Sequence, residues 1–150
     1  MKLTKEFGHW LAGLIAGEGC FRIHRAKSGQ HYACAFRLKL RDDDGPILRE
    51  IRRKLGFGHV VPMRGYSRNA NPLLAWDCES KADCVRLVNV LDRFPLRARK
   101  RRDYRIWRKA ALYQVAARTL ARRWKGPHDW SRMIAYKQAI EAARLYRTGC

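Results

Sequence analysis

Apolar residues recur every three or four positions between residues 4 and 17, which is the spacing of one face of an α-helix. These apolar residues are Phe7, Trp10, Leu11, Leu14 and Ile15. Thr4 stands where an N-cap residue is expected. A second stripe on the same helix is small, although a glycine inside a helix costs about 1 kcal/mol relative to alanine. The small residues are Ala12, Gly13, Ala16 and Gly17. Such a stripe indicates close approach of another backbone, in the same chain or in a partner.

After Gly19 the hydrophobic period changes to two, which is typical of strands with one buried face. The predicted strands lie at about residues 21–24, 33–41, 57–63 and 73–78. One helix is predicted between the second and third strands and another after the fourth. The order helix, two strands, helix, two strands, helix therefore predicts an α+β fold with an antiparallel sheet.

Turn and capping residues mark the ends of the later helices. Residues 42–46 (Asp-Asp-Asp-Gly-Pro) open the second helix, and we expect the carboxylates to cap it rather than to hold a metal ion. Residues 80–83 resemble a capping box for the third helix, which Pro95 ends. A further helix is predicted over about 104–115, and a last one over about 129–146.

The composition changes the picture mainly through its charge. The chain has 150 residues, and 47% of them are hydrophobic, which suffices for the core of one domain. It has 33 Lys and Arg against 13 Asp and Glu, a net charge of +20, so an anionic partner such as nucleic acid is expected. No run reaches the roughly 20 apolar residues of a membrane span, and residues 7–17 do not resemble a signal peptide. We therefore expect no membrane partner and an intracellular protein.

Five cysteines are present, an odd number without a CxxC pair. They are Cys20, Cys34, Cys78, Cys84 and Cys150. Several stand in apolar, strand-like segments, so we expect buried free thiols rather than metal ligands or disulfides.

Residues 11–19 read Leu-Ala-Gly-Leu-Ile-Ala-Gly-Glu-Gly, an apolar helix with paired glycines that ends in a carboxylate. This segment resembles the signature of the LAGLIDADG homing endonuclease family. Ala16 replaces the first of the family's two acidic positions, and Glu18 retains the second, which supplies the metal-binding carboxylate. Similar landmarks follow in the family's order at residues 36–43, 55–58, 76–80 and 95–100. The resemblance covers about residues 4–110.

The resemblance implies a single endonuclease domain over residues 1–150. Its αββαββα core would carry a four-stranded antiparallel DNA-binding sheet, and a C-terminal helical extension would cover about 111–150. Because two signature helices are required, a chain with one signature is expected to act as a homodimer. The implied activity is Mg2+-dependent hydrolysis of both strands of duplex DNA at the centre of a long pseudo-palindromic target, as part of intron mobility. Mn2+ or Ca2+ would replace Mg2+ in binding.

The physical chemistry of the first helix agrees with this expectation. If two copies pack through Gly13 and Gly17 about a two-fold axis, their Glu18 carboxylates meet beside two helix C-termini, and this negative charge favours a hard divalent cation. Glu18 and Gly17 are the expected metal ligands. The expected dimer interface is Leu11, Ala12, Gly13, Ala16 and Gly17. The alternatives are that Glu18 is only a solvated helix end and that the glycines serve a helix crossing within the chain.

The polar face of the predicted sheet is basic, and such a face can enter the DNA major groove. By strand parity, the outward residues are Arg22, His24, Arg37, Lys39, Arg41, His59, Val61, Met63, Ala75 and Asp77. The loops add Ser28, Gln30, Arg64, Tyr66, Arg68 and Asn69. The alternative is a solvated face that only keeps the protein soluble.

A dense basic cluster follows Pro95, and the family carries an active-site lysine near Lys100. Lys100 would stabilise charge or position the attacking water, and the alternative is that it only contacts the phosphate backbone. Arg99 is the alternative residue for this position. Two other functions stay open. One is an intron RNA maturase of the same fold, for which intron RNA would be a partner, and the other is a DNA-binding regulator that does not cut. The Arg- and Ala-rich composition fits a prokaryotic cytoplasm or nucleoid, with organellar encoding as the alternative.

Overall fold

The computed structural model describes residues 3–25, 31–63, 71–121 and 129–144, without the side chains of 118–121. Helices and strands follow the predicted order, and two long helices come after the third one. The elements are α1 (Lys5–Glu18), β1 (Gly19–Arg25), β2 (Tyr32–Arg41), a 3-10 turn (Asp42–Asp44), α2 (Gly45–Leu55), β3 (His59–Met63), β4 (Leu73–Cys78), α3 (Lys81–Arg93), α4 (Lys100–Ala121) and α5 (Ser131–Ala142). The α+β prediction is confirmed.

The four strands form one antiparallel sheet with the order β1-β2-β4-β3. In the register, Arg37 of β2 lies opposite Cys20 of β1 and Asp77 of β4, and His59 of β3 also lies opposite Asp77. Residues that pair across strands share a face, so these four side chains occupy one row on one face of the sheet. The predicted four-stranded antiparallel sheet is therefore present.

The other face of the sheet forms the floor of the core. Phe21, Phe36 and Trp76 project from three strands and are fully buried. Helices α1, α2, α3 and α4 cover them with apolar side chains, of which these are fully or almost fully buried: Leu11, Ile15, Leu48, Ile51, Leu87, Leu91 and Trp107. Burial of this set removes most of the apolar face from water and is the main stabilising contribution to the fold.

Helix α4 is fixed to the sheet by polar contacts as well as by packing. The indole Nε1 of Trp107 donates to the carbonyl oxygens of Arg22 (3.2 Å) and Ala35 (3.1 Å). The backbone N–H of Cys34 donates to Oε1 of Gln114 at 3.1 Å. Because Gln114 is 3% exposed, this bond satisfies polar groups that would otherwise be buried without a partner. The helix runs without a break across residues 110 and 111.

Two of the three predicted helix caps are found. The hydroxyl of Thr4 accepts from the N–H of Phe7 at 3.3 Å, and that of Ser80 accepts from the N–H of Asp83 at 3.0 Å. At the run of three aspartates the prediction of carboxylate capping is wrong. These residues form a 3-10 turn that leads directly into α2, and the N-cap Asp44 makes no side-chain capping bond. Because the turn already has helix-like backbone geometry, the carboxylates point to solvent.

The expectation of free thiols holds for the core but not for Cys20. Cys34, Cys78 and Cys84 are free and fully buried, and burial raises the pKa of the Cys84 thiol to about 12. Cys20 is disulfide-bonded. Strand register places Cys20 on the face opposite to Cys34, so the argument from an apolar core does not apply to it. Cys150 lies outside the described residues.

Candidate functional site

Glu18 is the last residue of α1, and its side chain is exposed. Gly19 ends the helix with φ −73° and ψ 145°, donates its N–H to the carbonyl oxygen of Ile15, and begins β1. A Cβ at Gly19 would lie 2.7 Å from that oxygen and 2.9 Å from the Phe36 ring, so no larger residue fits without a shift. This tight helix-to-strand junction fixes the backbone of Glu18 at the start of the edge strand β1.

Lys100 lies at the same place, although it is far away in the sequence. It is the first residue of α4 and is only 7% exposed, and its Nζ donates to the carbonyl oxygen of Gly19 at 2.6 Å. Ala98 has a φ of 55°, in the left-handed region, where the chain turns into α4. The neighbouring Arg99 is exposed. The structure therefore brings Lys100, and not Arg99, to the end of α1 with its side chain turned inward.

Helix α1 has two different glycine faces. A Cβ on Gly8 would lie 2.4 Å from the Phe94 ring, so Gly8 permits a close contact between α1 and the end of α3. Gly13 and Gly17 are exposed, and a Cβ on either would meet nothing within 4 Å among the described residues. A close contact within the chain is thus made at Gly8, whereas the described residues leave the face with Gly13 and Gly17 uncovered.

The other residues of the expected dimer interface differ in their burial. Leu11 is fully buried and Ala12 is 5% exposed, both in the core of this chain. Ala16 is half-buried. Beside it lies a groove that also contacts Gly13 and is bordered by His9, Ala12, Pro95 and Arg97. The outward part of the expected interface therefore consists of Gly13, Ala16 and Gly17.

Every strand residue predicted to face outward by parity lies on one face of the sheet in the observed register. The exposed members are His24, Arg41 and His59, and the half-buried members are Arg22, Arg37, Lys39, Val61 and Met63. Ala75 and Asp77 lie on this face but are buried. The predicted loop residues lie outside the described residues; they are Ser28, Gln30, Arg64, Tyr66, Arg68 and Asn69.

Asp77 is the buried centre of a charge cluster on this face. It is 2% exposed, its Oδ1 accepts from Nε of Arg37 at 2.6 Å, and its Oδ2 accepts from Nη2 of the same guanidinium. Oε1 of Glu79 lies 3.8 Å from Nη2 of Arg22 and 3.9 Å from Nη2 of Arg37. Among the described residues, the buried Nε of Arg22 has no hydrogen-bond partner. Burial and the nearby charge of Arg37 lower the pKa of Arg22.

His24 lies on the same strand as Arg22. Burial, and then the positive charge of Arg22, lower the pKa of His24 below its usual value of 6.5. Its imidazole is therefore neutral at pH 7 and acts as a donor and an acceptor rather than as a cation.

The described residues include no group of three or more His, Cys, Asp or Glu side chains placed to hold a metal ion. Within one chain, Glu18 therefore brings a single carboxylate to the end of α1. The last carbonyl groups of a helix have no partner within the helix, so the end of α1 offers backbone oxygen donors next to this carboxylate. This donor set suits a divalent cation such as Mg2+ once a second carboxylate joins it.

Arg144, two residues after the end of α5, was not singled out from the sequence. Its Nη2 donates to the carbonyl oxygen of Phe21, and its Nε lies 3.3 Å from Oδ2 of the buried Asp103. The start of β1 is thus held by Lys100 from α4 and by Arg144 from α5. The charge run at the start of α4 was a signal for Lys100, whereas nothing local marks Arg144, because its contacts depend on the packing of α5.

The candidate site of this α+β protein is a helix that ends in an exposed carboxylate beside an antiparallel sheet with a basic outer face. The sequence profile of the LAGLIDADG endonuclease family matches residues 11–111. The chain belongs to this family. In the described part of the chain, no helix has the length and apolar character needed to cross a membrane.

Known relatives agree with this membership. A probable intron-encoded endonuclease, Cox1-I1b of Schizosaccharomyces pombe, is 28% identical over 110 residues, which are 71% of this chain and 27% of that protein. The LAGLIDADG meganuclease I-AabMI, solved bound to uncleaved DNA, is 26% identical with a TM-score of 0.65, over 75% of this chain and 38% of that one. The homing endonuclease I-TnaI is 21% identical with a TM-score of 0.66, over 99% of this chain and 91% of that one. The chain thus spans less than half of the first two relatives.

Proposed function

We propose that the chain is a metal-dependent, site-specific DNA endonuclease that acts as a homodimer and cuts both strands at the centre of a long pseudo-palindromic target. The observation that carries this proposal is the exposed carboxylate of Glu18 at the end of α1, next to a glycine face that the described part of the chain leaves uncovered. Family membership supports the reaction, and the relation to a probable intron-encoded endonuclease supports a role in intron mobility.

The outward face of α1 supports the proposed homodimer. Gly13 and Gly17 carry no side chain, so two copies of the helix can approach until their backbones touch. In a two-fold arrangement the same patch serves both subunits, and the helix ends with their Glu18 residues come together at the axis. The paired site then has the second carboxylate that one chain lacks.

Glu18 and the carbonyl oxygen of Gly17 would hold the divalent ion, for which we propose Mg2+. When bound, the ion neutralises charge on the scissile phosphate and makes a bound water more acidic. The chain itself contributes orientation and charge. The ammonium group of Lys100, held at Gly19, adds positive charge beside Glu18, where negative charge develops on the phosphate during hydrolysis.

The outer face of the sheet would bind the DNA. Arginine and lysine from alternate positions can reach guanine O6 and N7 in the major groove, and a two-stranded ribbon fits this groove. Lys39 and Arg41 supply positive charge, and Arg22 and the neutral His24 supply hydrogen-bonding groups. The exposed Arg99 is placed for a contact with the phosphate backbone.

A plasmid library with randomised inserts tests the reaction and finds the target in one experiment. Incubated with the protein and Mg2+, plasmids that carry a target become linear, and sequencing of their ends gives the cleavage site. The expected result is a common pseudo-palindromic sequence cut at its centre in both strands. Glu18→Gln is expected to abolish linearisation while it retains binding to the selected duplex.

Glu6→Gln is the matched control, because Glu6 is also an exposed glutamate of α1 but lies in its first turn. It should cut like the wild type. Linearisation by Glu18→Gln at the wild-type rate would remove Glu18 from the reaction. Failure of the wild type to linearise any plasmid would contradict the proposed endonuclease.

A further inference from the structure

The guanidinium of Arg37 is held by a buried carboxylate instead of projecting freely from the sheet. Asp77, on the neighbouring strand β4, binds it through both oxygens, and the side chains are 20% and 2% exposed respectively. A two-point contact between an arginine and a carboxylate fixes the plane of the guanidinium as well as its position. Asp77 was predicted to bind DNA, but at this depth it can act only through Arg37.

Among the described residues, the ion pairs around this pair are balanced in charge. Arg22 and Arg37 carry two positive charges, and Asp77 and Glu79 carry two negative charges within 4 Å of them. Recognition of a phosphate draws on net positive charge, which this cluster lacks. Recognition of a base edge draws instead on oriented donors. The combination of fixed donors and zero net charge therefore favours a base over the backbone.

On the basis of the DNA endonuclease function proposed above, we propose that Arg37 reads a guanine in each half of the target and that Asp77 is the positioning residue that orients it. Nε and Nη2 of Arg37 engage Asp77, and the adjacent edge formed by Nη1 and Nη2 is the one that binds O6 and N7 of guanine. Arg37 lies opposite Cys20, two residues after Glu18. The guanine is therefore expected in the inner part of each half-site.

The competing explanation is that the pair only connects β2 to β4, since Arg37 and Asp77 are cross-strand neighbours. The two explanations differ in their consequences for base preference. A structural connection would affect stability and binding to every sequence alike, whereas a reading pair would affect one position of the target.

Selection from a pool of randomised duplex DNA, by binding in Ca2+ without cleavage, separates them. Arg37→Gln should lower affinity for the wild-type consensus about 10- to 100-fold and remove the guanine preference at one symmetric position. Asp77→Asn should reduce the preference at that same position about tenfold. Lys39→Gln, from the same strand and face, is the control. It should weaken all duplexes alike and lower the salt slope by about one.

A double variant tests whether Asp77 acts through Arg37. Asp77→Asn should cause no further loss of base preference in the Arg37→Gln background, because the residue that it orients is gone. Removing both charges also leaves no unpaired buried ion, so this variant keeps its fold. If Asp77→Asn alone does not fold, Asp77→Glu keeps the charge but displaces the carboxylate, and it should lose the same preference.

Two results would overturn the inference while the endonuclease stands. The first is a folded Asp77→Asn or Asp77→Glu variant with the wild-type guanine preference. The second is an Arg37→Gln variant that loses affinity equally for all duplex sequences, because this result would identify a phosphate contact. Enrichment of no sequence by the wild type would instead contradict the proposed DNA-binding function itself, and the inference with it.

Discussion

The ammonium group of Lys100 donates a hydrogen bond to the carbonyl oxygen of Gly19, a residue 81 positions earlier in the chain. This bond joins the first turn of α4 to the junction that carries Glu18. A buried ammonium group is tolerated only with such a partner, so the contact fixes the position of both segments. The two residues proposed to act on the scissile phosphate are thereby parts of one rigid junction.

Replacement of Lys100 by methionine should slow cleavage by about 100- to 1,000-fold, because a positioned cation at the phosphate is lost. The carbonyl of Gly19 also loses its partner, so the free energy of unfolding should fall by about 1–3 kcal/mol. Single-turnover cleavage and urea unfolding measure the two effects separately. Lys109→Met, an exposed lysine further along the same helix, is the control, and it should change neither quantity strongly. A normal cleavage rate in Lys100→Met would leave Lys100 with a purely structural role.

Substitutions at two glycines of α1 should have effects of different kinds. Gly8→Ala should lower the free energy of unfolding by about 1–3 kcal/mol, because its Cβ would lie 2.4 Å from the Phe94 ring. The described residues leave open space around Gly13. Gly13→Leu should therefore leave folding intact, but its side chain should block the partner helix and produce monomers. Light scattering and urea unfolding of both variants check this.

Gly13→Ala refines the same comparison. Within one subunit it should add up to about 1 kcal/mol of stability, because alanine favours the helix over glycine. Self-association should weaken nonetheless, since even one methyl group separates two touching backbones. An unchanged dimer in both Gly13 variants would exclude this face of α1 as the interface.

Binding to duplex DNA should depend steeply on salt. The chain carries a net charge of +20, and on the order of ten phosphate contacts would give a slope of about −9 for the logarithm of the binding constant against the logarithm of the salt concentration. Titrations of one duplex at several salt concentrations measure this slope. A flat response would contradict an electrostatic surface for nucleic acid.

Stability should depend on Asp92 in a defined pH range. Hydrogen bonds from Arg108, and a 2.7 Å bond from the hydroxyl of Tyr104, hold the pKa of Asp92 below its ordinary value of 3.8. A lowered carboxyl pKa stabilises the fold above the ordinary value, and this contribution is lost as the pH falls through the lowered one. Asp92→Asn should therefore reduce stability at neutral pH, by less than about 1 kcal/mol because the pair is exposed.

The difference between Asp92→Asn and the wild type should vanish in strong acid, as unfolding curves over a pH series would measure. In the Arg108→Met background the same substitution should have a smaller effect at neutral pH. An effect that is constant from neutral to strongly acidic pH would show that charge is not its cause.

The faces of the sheet could be predicted from the sequence because a strand repeats every two residues. A shift of one residue would move every side chain to the other face, so the alternation of Phe21 and Ile23 with Arg22 fixes the outer face. The start of β3 could not be predicted as well. Phe57 extends the apolar run, but it is buried in the core, and its carbonyl accepts from the Trp76 indole, so the strand begins two residues later.

The local part of the candidate site was predictable and the non-local part was not. Glu18 was found because its helix and its glycine neighbours are contiguous in the sequence. The pairing of Arg37 with Asp77 depends on the register between β2 and β4, which no short pattern encodes. The inward position of Lys100 likewise depends on how α4 packs. Contacts of this kind follow from the assembled fold and have no local signal.

The contact between Gly8 and the Phe94 ring sets how closely α1 approaches the end of α3. In the proposed dimer, the packing of α1 against its own subunit would influence how far apart the two sheets lie along the duplex. The spacing between the two half-sites would then depend on a contact inside each subunit, away from the face of the sheet proposed to bind DNA. A larger side chain at position 8 would in that case be expected to change the preferred length of the target.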